Sequence, residues 1–234
     1  MILALDTATP ATVVGVAAPD GTLLAQGRHD PAPGERPGHT TQLLPLAHTA
    51  LSEAGGAWRD VTRIGAGVGP GTFTGIRIGV ATARALAQGL DAETVAISTL
   101  RALALGAARE AGEANVLAIL DARRGEAFVA AWDAGGHEVL APAAWAPEAL
   151  AGVPDLAPGP WLAAGDGTVR FRTELEAVGV AVAPDDAHPH RVSAGALCRL
   201  AAEASPVARD ALVPEYVRAP DAQPRRYLTV PPAP

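Results

Sequence analysis

The 234-residue sequence contains no lysine, because all 18 of its basic residues are arginine. A Schiff base to a substrate carbonyl and the lysine of a phosphate-binding P-loop are therefore excluded. Cysteine is almost as scarce: Cys198 stands alone, so no intramolecular disulfide can form. Its apolar neighbours favour a small buried residue over a reactive thiol.

Long apolar runs are also missing, and none reaches the roughly 18 uncharged residues that a membrane span needs. The N-terminal run has no basic region before it and breaks at Asp6, which predicts a cytoplasmic protein without a signal peptide. The formal net charge of −7 argues against tight nucleic-acid binding by this chain alone, because phosphate contacts dominate such affinity. If RNA is the substrate, we expect another chain to carry most of the binding.

What the sequence does contain is one pattern that occurs twice. Residues 2–21 read as strand, acidic turn, strand and glycine turn, and residues 117–136 repeat that order without a gap. In this match Asp6 corresponds to Asp121. A chance similarity of short apolar strands is the alternative. Each copy is followed by alternating helices and strands, which favours an α/β fold of the actin-like ATPase (ASKHA) type, with two similar lobes from an internal duplication.

The predicted N-terminal lobe, residues 1–112, is expected to bind a partner, and the predicted C-terminal lobe, residues 113–213, is expected to be reduced. An irregular, proline-rich tail covers residues 214–234. Strands are predicted at 2–6, 12–18, 22–27, 64–68, 94–97 and 161–164, in addition to the second hairpin. Helices are predicted at 40–54, 74–90, 100–111, 168–178 and 192–204.

A glycine-rich run, GPGTFTGIRIG at residues 69–79, joins a predicted strand to a predicted helix. Backbone N–H groups at such a helix start can hold phosphate. Neither standard fingerprint fits, because Pro70 and Ile76 stand where glycine and lysine would be required. A tight packing turn is the alternative. Acids at the corresponding strand ends position Mg²⁺ and phosphate in kinases of this fold, although the same acids can simply close a turn. The candidate nucleotide-binding residues are Asp6, Thr7, Gly69, Gly71 and Thr72.

Small residues recur at every fourth position of the following helix, which gives it a smooth stripe. Such a stripe lets a second helix approach closely. Packing against the chain's own sheet is the alternative, but the larger apolar residues beside the stripe are expected to serve the sheet and leave the stripe free. The predicted partner interface comprises His39, Leu43, Leu46, Gly75, Arg77, Gly79, Ala83 and Ala87.

Six segments, taken together, resemble the TsaB (YeaZ) family. They are ILALDTAT at 2–9, HTTQLLP at 39–45, GPGTFTGIRIG at 69–79, STL at 98–100, LDAR at 120–123 and PEYVR at 214–218. They appear in family order and span nearly the whole chain. The resemblance implies an actin-like two-lobed fold and a role in making N6-threonylcarbamoyladenosine at position 37 of tRNAs that read codons starting with A.

The resemblance further implies a non-catalytic subunit that dimerises with its catalytic paralogue TsaD, after which the pair recruits the ATPase TsaE. The chain would meet tRNA only through this complex and would form a homodimer in isolation. We expect no cofactor of the chain's own, and ATP or ADP at a subunit interface is left open.

Candidate catalytic and metal-binding residues are scarce. The paralogue holds its metal with two histidines one helical turn apart, and no two of the six histidines here are three or four residues apart. A Gly-x-Ser-x-Gly nucleophile motif is also missing. We therefore predict no catalytic residue and no metal site. A small-molecule kinase or ATPase of the actin-like superfamily is the first alternative function, and a metallopeptidase is the second.

Overall fold

The computed structural model describes residues 1–218, without the side chain of Arg109. Its first half contains β1 (Ile2–Asp6), β2 (Thr12–Ala17), β3 (Leu23–His29), α1 (His39–Glu53), β4 (Arg63–Gly69), α2 (Phe73–Leu90), β5 (Glu93–Ser98) and α3 (Thr99–Ala111). Its second half contains β6 (Asn115–Arg123), β7 (Glu126–Trp132), β8 (Glu138–Trp145), β9 (Trp161–Ala164), α4 (Asp166–Arg170), α5 (Arg172–Ala177), β10 (Ala181–Val182) and α6 (Ala194–Glu203). Short 3-10 segments lie at Trp58–Asp60, Pro147–Asp155 and His188–His190.

The strands form two five-stranded mixed sheets with the same topology. The first has the order β3-β2-β1-β4-β5, and the second has the order β8-β7-β6-β9-β10. In each sheet the first three strands pair antiparallel, and the last two continue parallel on the other side of the first strand. The predicted duplicated, actin-like architecture is confirmed.

The hairpins that begin the two sheets differ by one residue. Asp6 pairs with Val13, seven residues later, whereas Asp121 pairs with Ala127, six residues later. The gap-free match of the two copies is therefore wrong in the second strand of each hairpin. The shorter β6–β7 connection turns through residues at positive φ that end in Gly125.

Two helices lie between the sheets, and each packs on the sheet of the other half. Helix α6 contacts β1, β2 and β4, while α3 contacts β6, β7 and β9. Leu103 of α3 and Leu197 of α6 share one buried cluster with residues of both sheets. Cys198 of α6 is fully buried there, and burial raises the pKa of its thiol to about 12. The domain boundary between residues 112 and 113 stays a prediction.

The outer faces of the two sheets are covered unequally. Helices α1 and α2 cover the first sheet, where Leu51 and Ile76 pack against apolar residues of the strands. The second sheet is covered by the short helices α4 and α5 and by the 3-10 segment around Leu150. The helix predicted at 168–178 is in fact divided at Phe171.

Within residues 1–218, no helix is long and apolar enough to cross a membrane.

Candidate functional site

The glycine-rich loop between β4 and α2 packs tightly onto the β1–β2 turn. Its first residue, Gly69, has a φ of 111°, a left-handed conformation that favours glycine. The backbone N–H of Thr72 donates to the carbonyl oxygen of Ala8 at 2.7 Å. A side chain at Gly71 would collide with the same carbonyl group. In this structure the loop is therefore a close-packed turn.

Asp6, at the end of β1, is fully buried and already hydrogen-bonded. Its Oδ1 accepts from the backbone N–H of Ala8 at 2.8 Å, and its Oδ2 accepts from the Thr99 hydroxyl at 2.7 Å. Gly67 of β4 lies so close that any side chain there would overlap the carboxylate. Burial raises the pKa of Asp6 to about 6, against the opposing effect of these hydrogen bonds. The Asp6 carboxyl group thus lies buried between β1, β4 and α3 and contacts residues of β4 and α3.

Asp121, near the end of β6, is held by two arginines. Its carboxylate accepts from Nη1 of Arg170 at 3.0 Å and from the backbone N–H of Arg123 at 2.8 Å. Asp166 lies beside it and accepts from the Asp121 backbone N–H at 3.1 Å. Burial, with a further contribution from the Asp121 charge, raises the pKa of Asp166. The charge of the second strand-end acid is therefore balanced within the chain.

The five candidate nucleotide-binding residues lie close together, but three of them are buried. These three are Asp6, Thr7 and Gly69, whereas Gly71 and Thr72 line a cleft between the two halves of the chain. Of the two alternatives for the loop, the Thr72 N–H favours the packing turn, because it is hydrogen-bonded to Ala8 and not directed at a ligand. Nucleotide binding at a subunit interface stays a prediction.

The cleft between the halves has a volume of about 460 Å³. Its walls are the start of α2, the β6–β7 hairpin and residues 214–218, which we call the strap. The strap is fastened to the first sheet by the N–H of Glu215, which donates to the carbonyl of Val68 at 2.8 Å. It is fastened to the second sheet by Arg218, whose Nη1 donates to Glu126 at 2.7 Å. The rest of the predicted tail, residues 219–234, lies outside the described residues.

Three side chains meet at the cleft mouth, a grouping that the sequence did not predict although Arg77 was expected at the partner interface. The rings of Phe73 and Tyr216 are stacked, with centroids 5.6 Å apart. The guanidinium carbon of Arg77 lies 3.6 Å from the Phe73 ring centroid, and its Nε donates to the Tyr216 hydroxyl at 2.7 Å. Phe73 is 50% exposed and Tyr216 is 43% exposed. The PEYVR segment pointed to Tyr216, but its partners are far away in the sequence.

The small-residue stripe of α2 faces the chain's own first sheet. A side chain at Gly75 would collide with the carbonyl oxygen of Thr7, and one at Gly79 would collide with the Thr7 hydroxyl. That hydroxyl donates to the carbonyl of Gly75 at 2.7 Å. The prediction that the stripe is free for a partner helix is wrong, because the small residues are what let α2 lie this close to β1. The buried stripe residues are Gly75, Gly79, Ala83 and Ala87.

Among the other predicted interface residues, Arg77 is exposed and Leu46 is partly buried against Gly27 of β3. His39 and Leu43 are only 3% and 2% exposed. His39 begins α1, and its Nδ1 lies 2.8 Å from the Thr12 hydroxyl, so it anchors the start of the helix from inside. These two residues are corrected from interface to core, since they occupy the sheet-facing side of α1.

The solvent-facing sides of α1 and α2 carry a different set of residues. The two helices lie side by side, because both cover the same face of the first sheet. Leu44 is 49% exposed at the centre of the α1 side. The exposed residues of this face include Leu44, Pro45 and His48 of α1 and Arg77, Ala81, Arg84, Ala85 and Gln88 of α2.

Potential metal ligands in the described residues are dispersed. Between residues 1 and 218, no three His, Cys, Asp or Glu side chains form a group that could hold a metal ion. In the 3-10 segment His188–His190, the Nδ1 atom of His190 lies 2.8 Å from the Thr168 hydroxyl.

Comparison with known proteins relates this architecture to a family. The family model described as "TsaD: tRNA N6-adenosine threonylcarbamoyltransferase" matches residues 35–185. The structure of YeaZ from Pseudomonas aeruginosa aligns with a TM-score of 0.74 at 32% sequence identity, covering 92% of this chain and 98% of that one. The chain belongs to the TsaB (YeaZ) family. The resemblance seen in the sequence segments is thereby confirmed.

Two further comparisons set the limits of the family assignment. The "tRNA threonylcarbamoyladenosine biosynthesis protein TsaB" of Escherichia coli K12 is 41% identical over 127 residues, 54% of this chain. That match covers 52% of the E. coli protein, so this TsaB-family chain spans about half the length of that curated relative. The ethanolamine utilization protein EutJ from Carboxydothermus hydrogenoformans aligns with a TM-score of 0.51 at 14% sequence identity. That alignment covers 85% of this chain and 89% of the EutJ chain. That likeness shows the fold alone.

Proposed function

We propose that this TsaB-family chain is a non-catalytic subunit in the biosynthesis of N6-threonylcarbamoyladenosine at position 37 of tRNAs that read codons starting with A. It binds the catalytic paralogue TsaD, and the pair recruits the ATPase TsaE. The names of the curated relatives from E. coli and Haemophilus influenzae support the pathway. Under this proposal the chain has no cofactor of its own, and any ATP or ADP is held jointly with a partner.

The observation that carries the non-catalytic role is the state of the two strand-end acids. In an enzyme of this fold these acids position nucleotide phosphates and Mg²⁺. Here Asp6 is enclosed by Thr99 and Gly67, and Asp121 is ion-paired with Arg170. A scaffold does not require either acid to be free. Magnesium-dependent ATP turnover by the isolated chain would favour the kinase alternative and contradict this role.

The solvent face of α1 and α2 is the partner surface in this proposal. Leu44 exposes a large apolar side chain there, and the exposed Ala81 and Ala85 leave room for a second helix to approach. A pair of helices packed on this face would give an interface of standard size, about 1,600 Å². The same face can pair with itself in the absence of TsaD, which accounts for the expected homodimer.

Co-purification with TsaD tests this surface. Leu44→Asp and Ala85→Asp are each expected to weaken association more than about tenfold, because an interface would bury their carboxylates without partners. Leu24→Asp is the matched control, since Leu24 is 46% exposed on β3, away from this face. All three variants should keep the melting temperature within a few degrees of the parent chain. Unchanged association of the first two variants, or equal loss with the control, would contradict the assignment.

A further inference from the structure

The Phe73–Tyr216 pair forms a rigid aromatic platform beside the cleft. The Tyr216 ring is oriented by the hydrogen bond from Arg77, and the Phe73 ring is stacked against both of these side chains. The two residues nevertheless remain 50% and 43% exposed. A preformed platform loses little conformational freedom when a flat ligand stacks on it. The fold itself gains nothing from leaving these ring surfaces in water.

The surroundings of the platform differ in charge from the chain as a whole. The chain carries a net charge of −7, whereas the cleft is lined by two arginines and two acids, Arg123, Arg218, Asp121 and Glu215. The Arg123 side chain is 67% exposed, whereas its partner Asp121 is only 13% exposed. Arg218 is 28% exposed, less than the 40% of its ion-pair partner Glu126. The outward guanidinium group of Arg123 beside exposed aromatic residues suits a ligand with flat bases and negative phosphates.

We propose that an unpaired base of the tRNA substrate stacks on Phe73 and Tyr216 while Arg123 contacts a neighbouring phosphate. This inference rests on the proposed function, and it gives the non-catalytic subunit a direct RNA contact. Proteins recognise RNA mainly at single-stranded loops, where splayed bases stack on aromatic side chains. The acidic net charge is compatible with this site because it adds one contact to a complex whose other subunits supply most of the affinity.

The test measures tRNA affinity of the assembled complex of this chain with TsaD and TsaE. Tyr216→Ala is expected to lower that affinity about tenfold, the loss typical of one base–aromatic stack. Tyr216→Phe keeps the ring and should stay within about twofold of the parent. Leu24→Ala, at an exposed apolar residue on β3, is the matched control and should have no effect. Ultraviolet crosslinking should attach the tRNA to the peptide that contains Phe73 or Tyr216.

The phosphate contact has its own readout. Arg123→Ala should weaken binding at low salt and reduce the slope of log K against log salt concentration by about 0.7, the value for one phosphate contact on a single strand. A structural role for Arg123 beside Asp121 would alter stability and leave that slope unchanged.

Two results would overturn the inference while leaving the proposed function intact. One is unchanged tRNA affinity of the Phe73→Ala, Tyr216→Ala double variant. The other is loss of TsaD association by Tyr216→Ala with normal tRNA affinity of the complexes that do assemble, which would make the platform a protein-docking surface. Failure of the parent chain to associate with TsaD would instead contradict the proposed function, and the association measurement reports that separately.

Discussion

Asp6 is an ionisable residue in a place that water does not reach. Its two hydrogen bonds lower the pKa, but desolvation outweighs them and raises it from 3.8 to about 6. The folded state therefore binds the proton more tightly than the unfolded state does. The resulting contribution to stability is fully present below pH 4 and is lost as the pH rises through 6.

The Asp6→Asn variant isolates this effect. Relative to the parent chain, it should gain about 2.5 kcal/mol of unfolding free energy between pH 4 and pH 7.5, which is most of the effect of a shift of about two pKa units. The amide keeps an acceptor for the Ala8 N–H, while the Thr99 hydroxyl can reverse its hydrogen bond. Urea denaturation of both proteins across this pH range measures the difference. A difference that does not change with pH would show that Asp6 is ionised without penalty in the fold.

At the scale of the element, α2 shows why a small-residue stripe is an ambiguous signal. The four-residue spacing of Gly75, Gly79, Ala83 and Ala87 predicts close approach to another backbone. It does not say whether that backbone is a partner helix or the chain's own β1. The structure answers that it is the end of β1, because Gly75 and Gly79 lie directly on Thr7, the residue that follows the strand. The sequence predicted the helix and its smooth face but assigned that face to the wrong neighbour.

Two alanine substitutions in α2 compare the buried stripe with the solvent face. Gly75→Ala is expected to lower the unfolding free energy by about 2 kcal/mol, since the new Cβ meets a backbone oxygen that cannot rotate away. That loss exceeds the helix-propensity gain of up to about 1 kcal/mol. Gly89→Ala has nothing within 4 Å of the added Cβ, so it should stabilise by about 0.5–1 kcal/mol. Equal stability of the two variants in urea would mean that α2 sits further from β1 than described.

Much of the element order was predictable, and the parts that were not depend on contacts distant in sequence. Buried strands such as β1 read as continuous apolar runs, and the repeat indicated two sheets of equal topology. The platform could not be predicted, because Arg77 and Tyr216 are 139 residues apart. The enclosure of Asp6 was equally hidden, since Thr99 lies on a different element and its register depends on the packing of α3.

At the scale of the whole molecule, the two halves are joined by more than the chain connection. Helices α3 and α6 each pack on the sheet of the opposite half, and the strap crosses the cleft from Val68 to Glu126. These ties suit a subunit whose task is to present a fixed surface. Of the two strand-end acids, Asp6 is buried and hydrogen-bonded to Thr99, whereas Asp121 lies at the cleft and is ion-paired with Arg170.

The central claim is that this chain is required for the tRNA modification without carrying out the chemistry. Reconstitution of threonylcarbamoylation with TsaD, TsaE, tRNA and an activated threonylcarbamoyl donor, in the presence and absence of this chain, tests it most directly. We expect modified tRNA to form only when the chain is added. The Asp121→Asn variant, which removes a carboxylate now paired with Arg170, should support modification at a rate within about twofold of the parent. Modification at the same rate without the chain would contradict the account, as would a loss of several orders of magnitude in a folded, TsaD-bound Asp121→Asn variant.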